Sequence, residues 1–152
     1  MRNSSDRPEF LALSAKVRAQ ARRFEATLVA RGIDRLISAH SRRRALEGAA
    51  RVAQRHLGRP LKGLEELYER EVLAAVLADD RPLDGSEGRV SAHTLRQRRV
   101  ALRAYLRVIG LPGRTREEAR AILDRGLGRG AGGRGYRRRD GPEVESDETG
   151  RT

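Results

Sequence analysis

The sequence predicts an all-α fold, a small multi-helix bundle with a disordered C-terminal tail. Aromatic residues make up only 3% of the 152 residues, and hydrophobic residues make up 38%. β-branched and aromatic side chains, which favour strands, are therefore scarce. Apolar residues instead recur at spacings of three and four, between serine or threonine start signals and glycine stop signals. The chain has no cysteine, which excludes disulfides, zinc fingers and thiol catalysis.

The first predicted helix starts at the capping-box pattern Asp6-Arg7-Pro8-Glu9 and runs to about Ala30, before Gly32. Its apolar residues form one stripe: Phe10, Leu13, Val17, Ala21, Phe24 and Leu28. Such a stripe either packs on a core or forms the seam of a homodimer. Residues 1–32 are therefore an N-terminal helix that belongs to the bundle or to a dimer interface, and both alternatives stay open.

Residues 33–125 are predicted to form the bundle itself. A short helix is expected over Ile33–Ala39, and Ser41 is expected to cap a second helix, Arg42–Leu57, that ends at Gly58. This second helix has small apolar residues on one side and an arginine ridge on another: Arg44, Arg51 and Arg55, with Arg42 and Arg43 in the first turn. Cations in a first turn oppose the helix dipole, which favours an external anion as their partner.

The remaining predicted elements alternate between apolar and polar segments. Leu64–Ala78 is an apolar helix with an acidic side, and Asp79–Val90 is a loop that contains proline and two glycines. Ser91 is expected to cap a helix that runs to Ile109, before Gly110. Thr115 and Glu118 form a capping box for a last short helix that ends at Gly126.

The segment Ser91–Ile109 is the most informative stretch, because it holds five arginines and no acid. On a helical wheel, Arg96, Arg99, Arg103 and Arg107 fall within an arc of roughly 80°. A neighbouring arc carries the apolar residues Leu95, Leu102, Tyr105, Leu106 and Ile109. An outward row of guanidinium groups repels itself unless an anion lies opposite, and regularly spaced DNA phosphates meet that need. Base edges could be read by side chains in the N-terminal half: His93, Thr94, Gln97 and Arg98.

The net charge of +12 favours a polyanionic partner, with nucleic acid first and an acidic membrane surface second. Only two of the 33 basic residues, Lys16 and Lys62, are lysine. A GC-rich genome explains the choice of arginine over lysine, but it does not explain a net charge of this size. No apolar run reaches the roughly 18 residues that span a bilayer, and no signal segment is visible. We therefore expect a cytoplasmic protein, associated with the nucleoid, that does not enter a membrane.

Residues 126–152 are of low complexity, with a glycine- and arginine-rich half followed by an acidic half. Such a segment cannot bury a core, so disorder is expected. The basic half could bind RNA without sequence preference. The three histidines, His40, His56 and His93, show no metal-ligand or catalytic spacing. The sequence thus predicts a protein that is not an enzyme and that has no metal and no cofactor.

Residues 41–112 resemble the core-binding domain of tyrosine recombinases of the phage-integrase type. The resemblance lies in the Ser41-led helix, in the turn Gly58-Arg59-Pro60-Leu61, and in the pattern Ser91-x-x-Thr94-Leu95 followed by Ala101-Leu102-Arg103-Ala104-Tyr105-Leu106. It implies an all-helical module that grips duplex DNA, with contacts from Thr94, Arg96, Arg99, Arg103 and Arg107. The catalytic residues of that family belong to a second domain, and no such set follows Pro112. We therefore expect no strand cleavage, whether the chain stands alone or is a fragment.

These observations favour a non-enzymatic double-stranded DNA-binding protein. A phage- or plasmid-type transcriptional repressor, or an accessory recombination factor, fits this description. The alternatives are an RNA-binding protein that uses the arginine- and glycine-rich tail, and a helical protein-interaction module. A bundle with a merely solvated arginine surface is the remaining interpretation.

Overall fold

The computed structural model describes residues 12–111 and 113–127. Within these ranges the chain forms five α-helices and one 3-10 helix, with no strand, and the predicted all-α class is confirmed. The α-helices are α1 (Ala15–Ala30), α2 (Leu36–Leu57), α3 (Arg70–Ala78), α4 (Ala92–Val108) and α5 (Gly113–Leu127), and the 3-10 helix is Leu64–Tyr68. None of the described helices is long and apolar enough to cross a membrane.

Helix α1 begins later than the sequence predicts. The Ser14 hydroxyl accepts a hydrogen bond from the Val17 amide at 3.1 Å, so Ser14 is the N-cap and Leu13 lies before the helix. The capping-box pattern at Asp6–Glu9 lies outside the described residues. The apolar stripe of α1 is fully buried against the rest of the bundle: Val17, Ala21, Phe24 and Leu28. This stripe is therefore a core face of the single chain, and α1 packs on α2 and α4.

Helix α2 is one uninterrupted helix, so the predicted break before Ser41 is wrong. It starts at Leu36 after Arg35, which provides no side-chain cap, and Ser41 is an exposed residue inside it. Arg42 and Arg43 therefore lie beyond the first turn, and the predicted conflict with the helix dipole does not arise. The helix ends at Gly58, whose φ of 73° is the left-handed conformation that glycine adopts readily.

The predicted helix Leu64–Ala78 is divided into the 3-10 helix and α3. Glu69 separates them with an extended ψ of 139°. Two glutamines hold the start of this region in place. The buried Gln54 accepts from the Leu61 amide at 2.9 Å, and Gln20 accepts from the Leu64 amide at 2.8 Å. These long-range hydrogen bonds fix a conformation that local periodicity does not reveal.

Helix α4 packs mainly on α2, and its predicted N-cap is confirmed, because Ser91 accepts a hydrogen bond from the Thr94 amide at 3.0 Å. Three aromatic rings meet beneath it. The Tyr105 ring lies 5.4 Å from that of Phe24 and 6.0 Å from that of Tyr68. The buried Tyr68 hydroxyl donates to the Leu102 carbonyl at 2.7 Å. This cluster fixes which side of α4 faces the core, and hence which side faces outward.

Helix α5 begins at Gly113, so Thr115 is an internal residue and the predicted capping box is wrong. In its first turns Arg114 pairs with Glu118 at 3.2 Å. The chain divides into one compact unit up to Ala119 and a second unit from Arg120 onward. All candidate site residues lie in the first unit. The tail predicted to be disordered, with the basic half for which RNA binding is an alternative, falls from residue 128 on outside the described residues.

Candidate nucleic-acid interface

The outer side of α4 carries Arg96, Arg99, Arg103 and Arg107, which we call the arginine row. Arg96 and Arg107 are exposed, and Arg99 and Arg103 are half-buried. The opposite side of the helix is buried. The predicted amphipathic arrangement is therefore present, although Ile109, expected among the apolar contacts, is 39% exposed just beyond the helix end.

Two members of the arginine row, Arg96 and Arg107, carry positive charge that no acid among the described residues balances. The pKa of Arg99 is lowered, first by burial and then by repulsion from Arg103. Burial and a neighbouring like charge both disfavour the charged form of a side chain, and the opposite charge of a bound anion would favour it.

Arg98 lies on the other side of α4, inside the fold. Its side chain is 5% exposed, and its Nη1 donates to the carbonyl oxygens of Val76 at 3.1 Å and Asp79 at 2.7 Å. Burial lowers its pKa, with the nearby Arg55 acting in the same direction and Asp79 opposing. The predicted role of Arg98 in reading base edges is therefore not supported by its position, since its guanidinium ties α4 to the end of α3.

Arg55, predicted to lie on the outward ridge of α2, is also buried, at 5% exposure. It donates to the Pro82 carbonyl at 2.8 Å, to the Arg81 carbonyl at 3.1 Å and to the Asp79 carboxylate at 3.1 Å. Burial alone would raise the pKa of Asp79, but hydrogen bonds from Arg81 and Arg55 hold it well below its usual range. The expectation of an outward Arg55 is wrong, because this side chain anchors the loop that follows α3.

Arg42 and Arg43 form ion pairs with acidic side chains of the same chain. Arg43 pairs with Glu25 on α1 and donates to Glu47 at 2.9 Å, and Arg42 lies 2.8 Å from Asp34. Burial lowers the pKa of Arg43, but the hydrogen bonds and charges of these two glutamates outweigh it, so the pKa is raised. The predicted need of these arginines for an external anion is therefore wrong, because they connect α1 and its following turn to α2.

Several of the predicted residues meet in a groove between α2 and α4, which we call the α2–α4 groove. Its volume is about 230 Å³. Polar side chains from both helices line it: Arg44, His93, Thr94, Gln97 and Arg98. Apolar positions form the rest of its wall: Ala45, Gly48, Leu83 and Val90. Arg51, the last of the predicted set, is half-buried on α2, one turn after Gly48.

The polar side chains of the α2–α4 groove differ in how they are engaged within the chain. The Thr94 hydroxyl lies 3.0 Å from that of Ser91, next to the N-cap. Arg44, His93 and Gln97 have no hydrogen-bond or ion-pair partner among the described residues. Arg44 and His93 are exposed and Gln97 is half-buried, so all three are available to a ligand in the groove.

A second groove, of about 270 Å³, lies between α1 and α4, and the sequence analysis did not anticipate it. Lys16, Gln20 and Arg23 line it together with Tyr105 and Ile109. Its charge is partly balanced, because Lys16 lies 3.8 Å from Glu65. The only available signal was that Lys16, Gln20 and Arg23 share one side of a helix, at spacings of four and three residues.

Comparisons with known proteins give no further guidance. No family model matches the chain, and no match was found among curated proteins or among solved structures. The described residues contain no group of three or more histidine, cysteine or carboxylate side chains that could hold a metal ion.

Proposed function

We propose that this chain binds double-stranded DNA through the arginine row of α4, and that it acts by binding without altering the nucleic acid chemically. A regulatory protein, such as a repressor or an accessory recombination factor, is the proposed class. The observation that carries the proposal is the arginine row itself, an outward helix face with no acid between residues 91 and 109. Phosphates on one side of a duplex can face such a row, and arginine matches their geometry.

The distribution of arginines within the fold supports this proposal. Arg42, Arg43, Arg55 and Arg98 are held by acids or carbonyls of the chain itself. By contrast, Arg96 and Arg107 are exposed on the outer face of α4 and have no acidic partner among the described residues.

The test is binding of the full chain to a fluorescein-labelled random-sequence 30-mer duplex, measured by anisotropy across a salt series. The double variant Arg96→Gln/Arg107→Gln is compared with Arg18→Gln/Arg22→Gln, which removes two exposed arginines of α1. Both pairs lower the net charge equally. We expect the α4 pair to weaken binding by about 10- to 100-fold and to reduce the slope of log K against log salt by about 2.

Two outcomes contradict the proposal. The first is an equal loss in the α1 and α4 variants, which means that only the total charge matters. The second is binding of single-stranded RNA as tight as that of the duplex and unaffected by the α4 pair, which favours an RNA-binding protein.

A further inference from the structure

We infer that the α2–α4 groove holds a stretch of the sugar–phosphate backbone of one DNA strand. This inference rests on the proposed function and extends it, because it adds a second contact region beside the arginine row. The occupant that we assign is a deoxyribose against the apolar wall, with its phosphate at Arg44.

The first observation is the chemistry of the groove. Most binding sites combine an apolar surface with a few convergent polar groups, and this groove has both. Leu83 and Val90 bring apolar surface from the loop that Arg55 anchors. Arg44, His93 and Gln97 also line the groove and have no partners among the described residues. None of the described residues that line it is acidic. The charge and the hydrogen-bonding groups therefore suit an anion attached to a small, partly apolar group.

The second observation is Gly48, which lies in the middle of α2. Glycine is among the least favourable residues in a helix interior. It is commonly accepted where two backbones approach closely, but here a Cβ atom would meet nothing within 4 Å beyond the adjacent residues and the nearby backbone of α2 itself. Its backbone is also an ordinary helical one. The chain itself therefore gives no reason for glycine at this position, whereas a ligand that enters the groove does.

The third observation is the position of His93 and Gln97 on α4. His93 lies three residues before Arg96, and Gln97 is the residue directly after Arg96. His93 and Arg96 are therefore neighbours on the helix surface, so a strand along the arginine row can continue to the groove without leaving α4. The groove and the row then form one continuous surface that tracks a phosphate backbone.

The test fills the groove without changing the charge. Gly48→Leu places a side chain in the groove, and Ala26→Leu adds similar bulk at an exposed position of α1. In the full chain, we expect Gly48→Leu to weaken duplex binding by about 10-fold and Ala26→Leu to change it by less than about 2-fold, with the melting temperature measured for both. Gly48→Ala is expected not to lower the melting temperature, because the site has room for the methyl group.

A second pair of variants reverses charge and does not depend on packing. Arg44→Glu is compared with Arg22→Glu, and both arginines are exposed. We expect Arg44→Glu to weaken duplex binding by about 10-fold more than Arg22→Glu at the same salt concentration.

The possible results separate this inference from the proposed function. If the Arg96/Arg107 variant loses affinity while Gly48→Leu and Arg44→Glu behave like their α1 controls, the groove inference is overturned and DNA binding stands. If the unaltered chain does not bind duplex, both are overturned. A large drop in melting temperature for Gly48→Ala would show that the glycine serves internal packing and would also overturn the inference.

Discussion

Arg98 and Arg96 are two residues apart, yet their surroundings are opposite. Arg98 donates to two main-chain carbonyls inside the fold, whereas Arg96 is exposed on the arginine row. We expect Arg98→Met to lower the free energy of unfolding by about 2 kcal/mol, because it leaves buried carbonyl groups unpaired. Arg96→Met is expected to change it by less than about 0.5 kcal/mol. Urea unfolding of both variants measures the difference, and equal effects would contradict the burial of Arg98.

Asp79 gives the stability of the protein a dependence on pH. Its pKa in the folded state is depressed, so its contribution is present above the pKa of the unfolded chain, about 4, and is lost as the pH falls toward the folded pKa. We expect Asp79→Asn to reduce the free energy of unfolding at pH 7 by about 1–3 kcal/mol. The difference between this variant and the unaltered chain should shrink by pH 2.5. A constant difference across urea titrations at both pH values would contradict the ionic role of Asp79.

Substituting serine by alanine tests where helices α2 and α4 begin. Ser91 caps α4, whereas Ser41 is an exposed residue within α2. We expect Ser91→Ala to cost about 1 kcal/mol of stability, as the loss of an N-cap does. Ser41→Ala is expected to be neutral or slightly stabilising, because alanine is the better helix former. Thermal unfolding of the two variants measures this, and a cost at Ser41 equal to that at Ser91 would mean that α2 is broken before residue 42.

The sequence was sufficient for elements whose limits are set locally. Ser91 and Gly58 predicted a helix start and a helix end correctly, because a cap and a left-handed glycine act within one turn. Elements whose limits depend on distant contacts were predicted incorrectly. The break at Glu69 accompanies hydrogen bonds that the Leu61 and Leu64 amides donate to Gln54 and Gln20, and these glutamines lie on other helices.

The same distinction applies to the candidate site. The arginine row was predictable, because its residues share one arc of a helix. For Arg98 a signal existed, since it precedes Leu102 by four residues and Tyr105 by seven and so shares their core side. For Arg55 no local signal existed, and for Arg43 the local signal was limited to Glu47, four residues later on the same helix. Their acidic partners Asp79 and Glu25 are distant in sequence, and only the packing of the helices brings them together.

At the scale of the whole molecule, charge acts on stability and on binding in opposite directions. A chain with a net charge of +12 repels itself, and added salt screens that repulsion within a Debye length of about 10 Å at 0.1 M. Salt also removes the gain from counterion release when arginines meet phosphates. If Arg44 and each of the four arginines of the row neutralise one phosphate, five phosphates in all, log K should fall by about 4.5 for a tenfold rise in salt.

We therefore expect NaCl, raised from about 50 to 500 mM, to increase the melting temperature of the free protein while it abolishes most of its affinity for duplex. Both quantities can be followed in the same buffers, by differential scanning fluorimetry and by anisotropy. The internal ion pairs of Arg43 and Arg55 are largely buried, so screening affects them less than the exposed arginines. A melting temperature that falls with salt would show that surface ion pairs outweigh the repulsion. Repulsion among the arginines of the row would then not be a reason for the row to bind DNA.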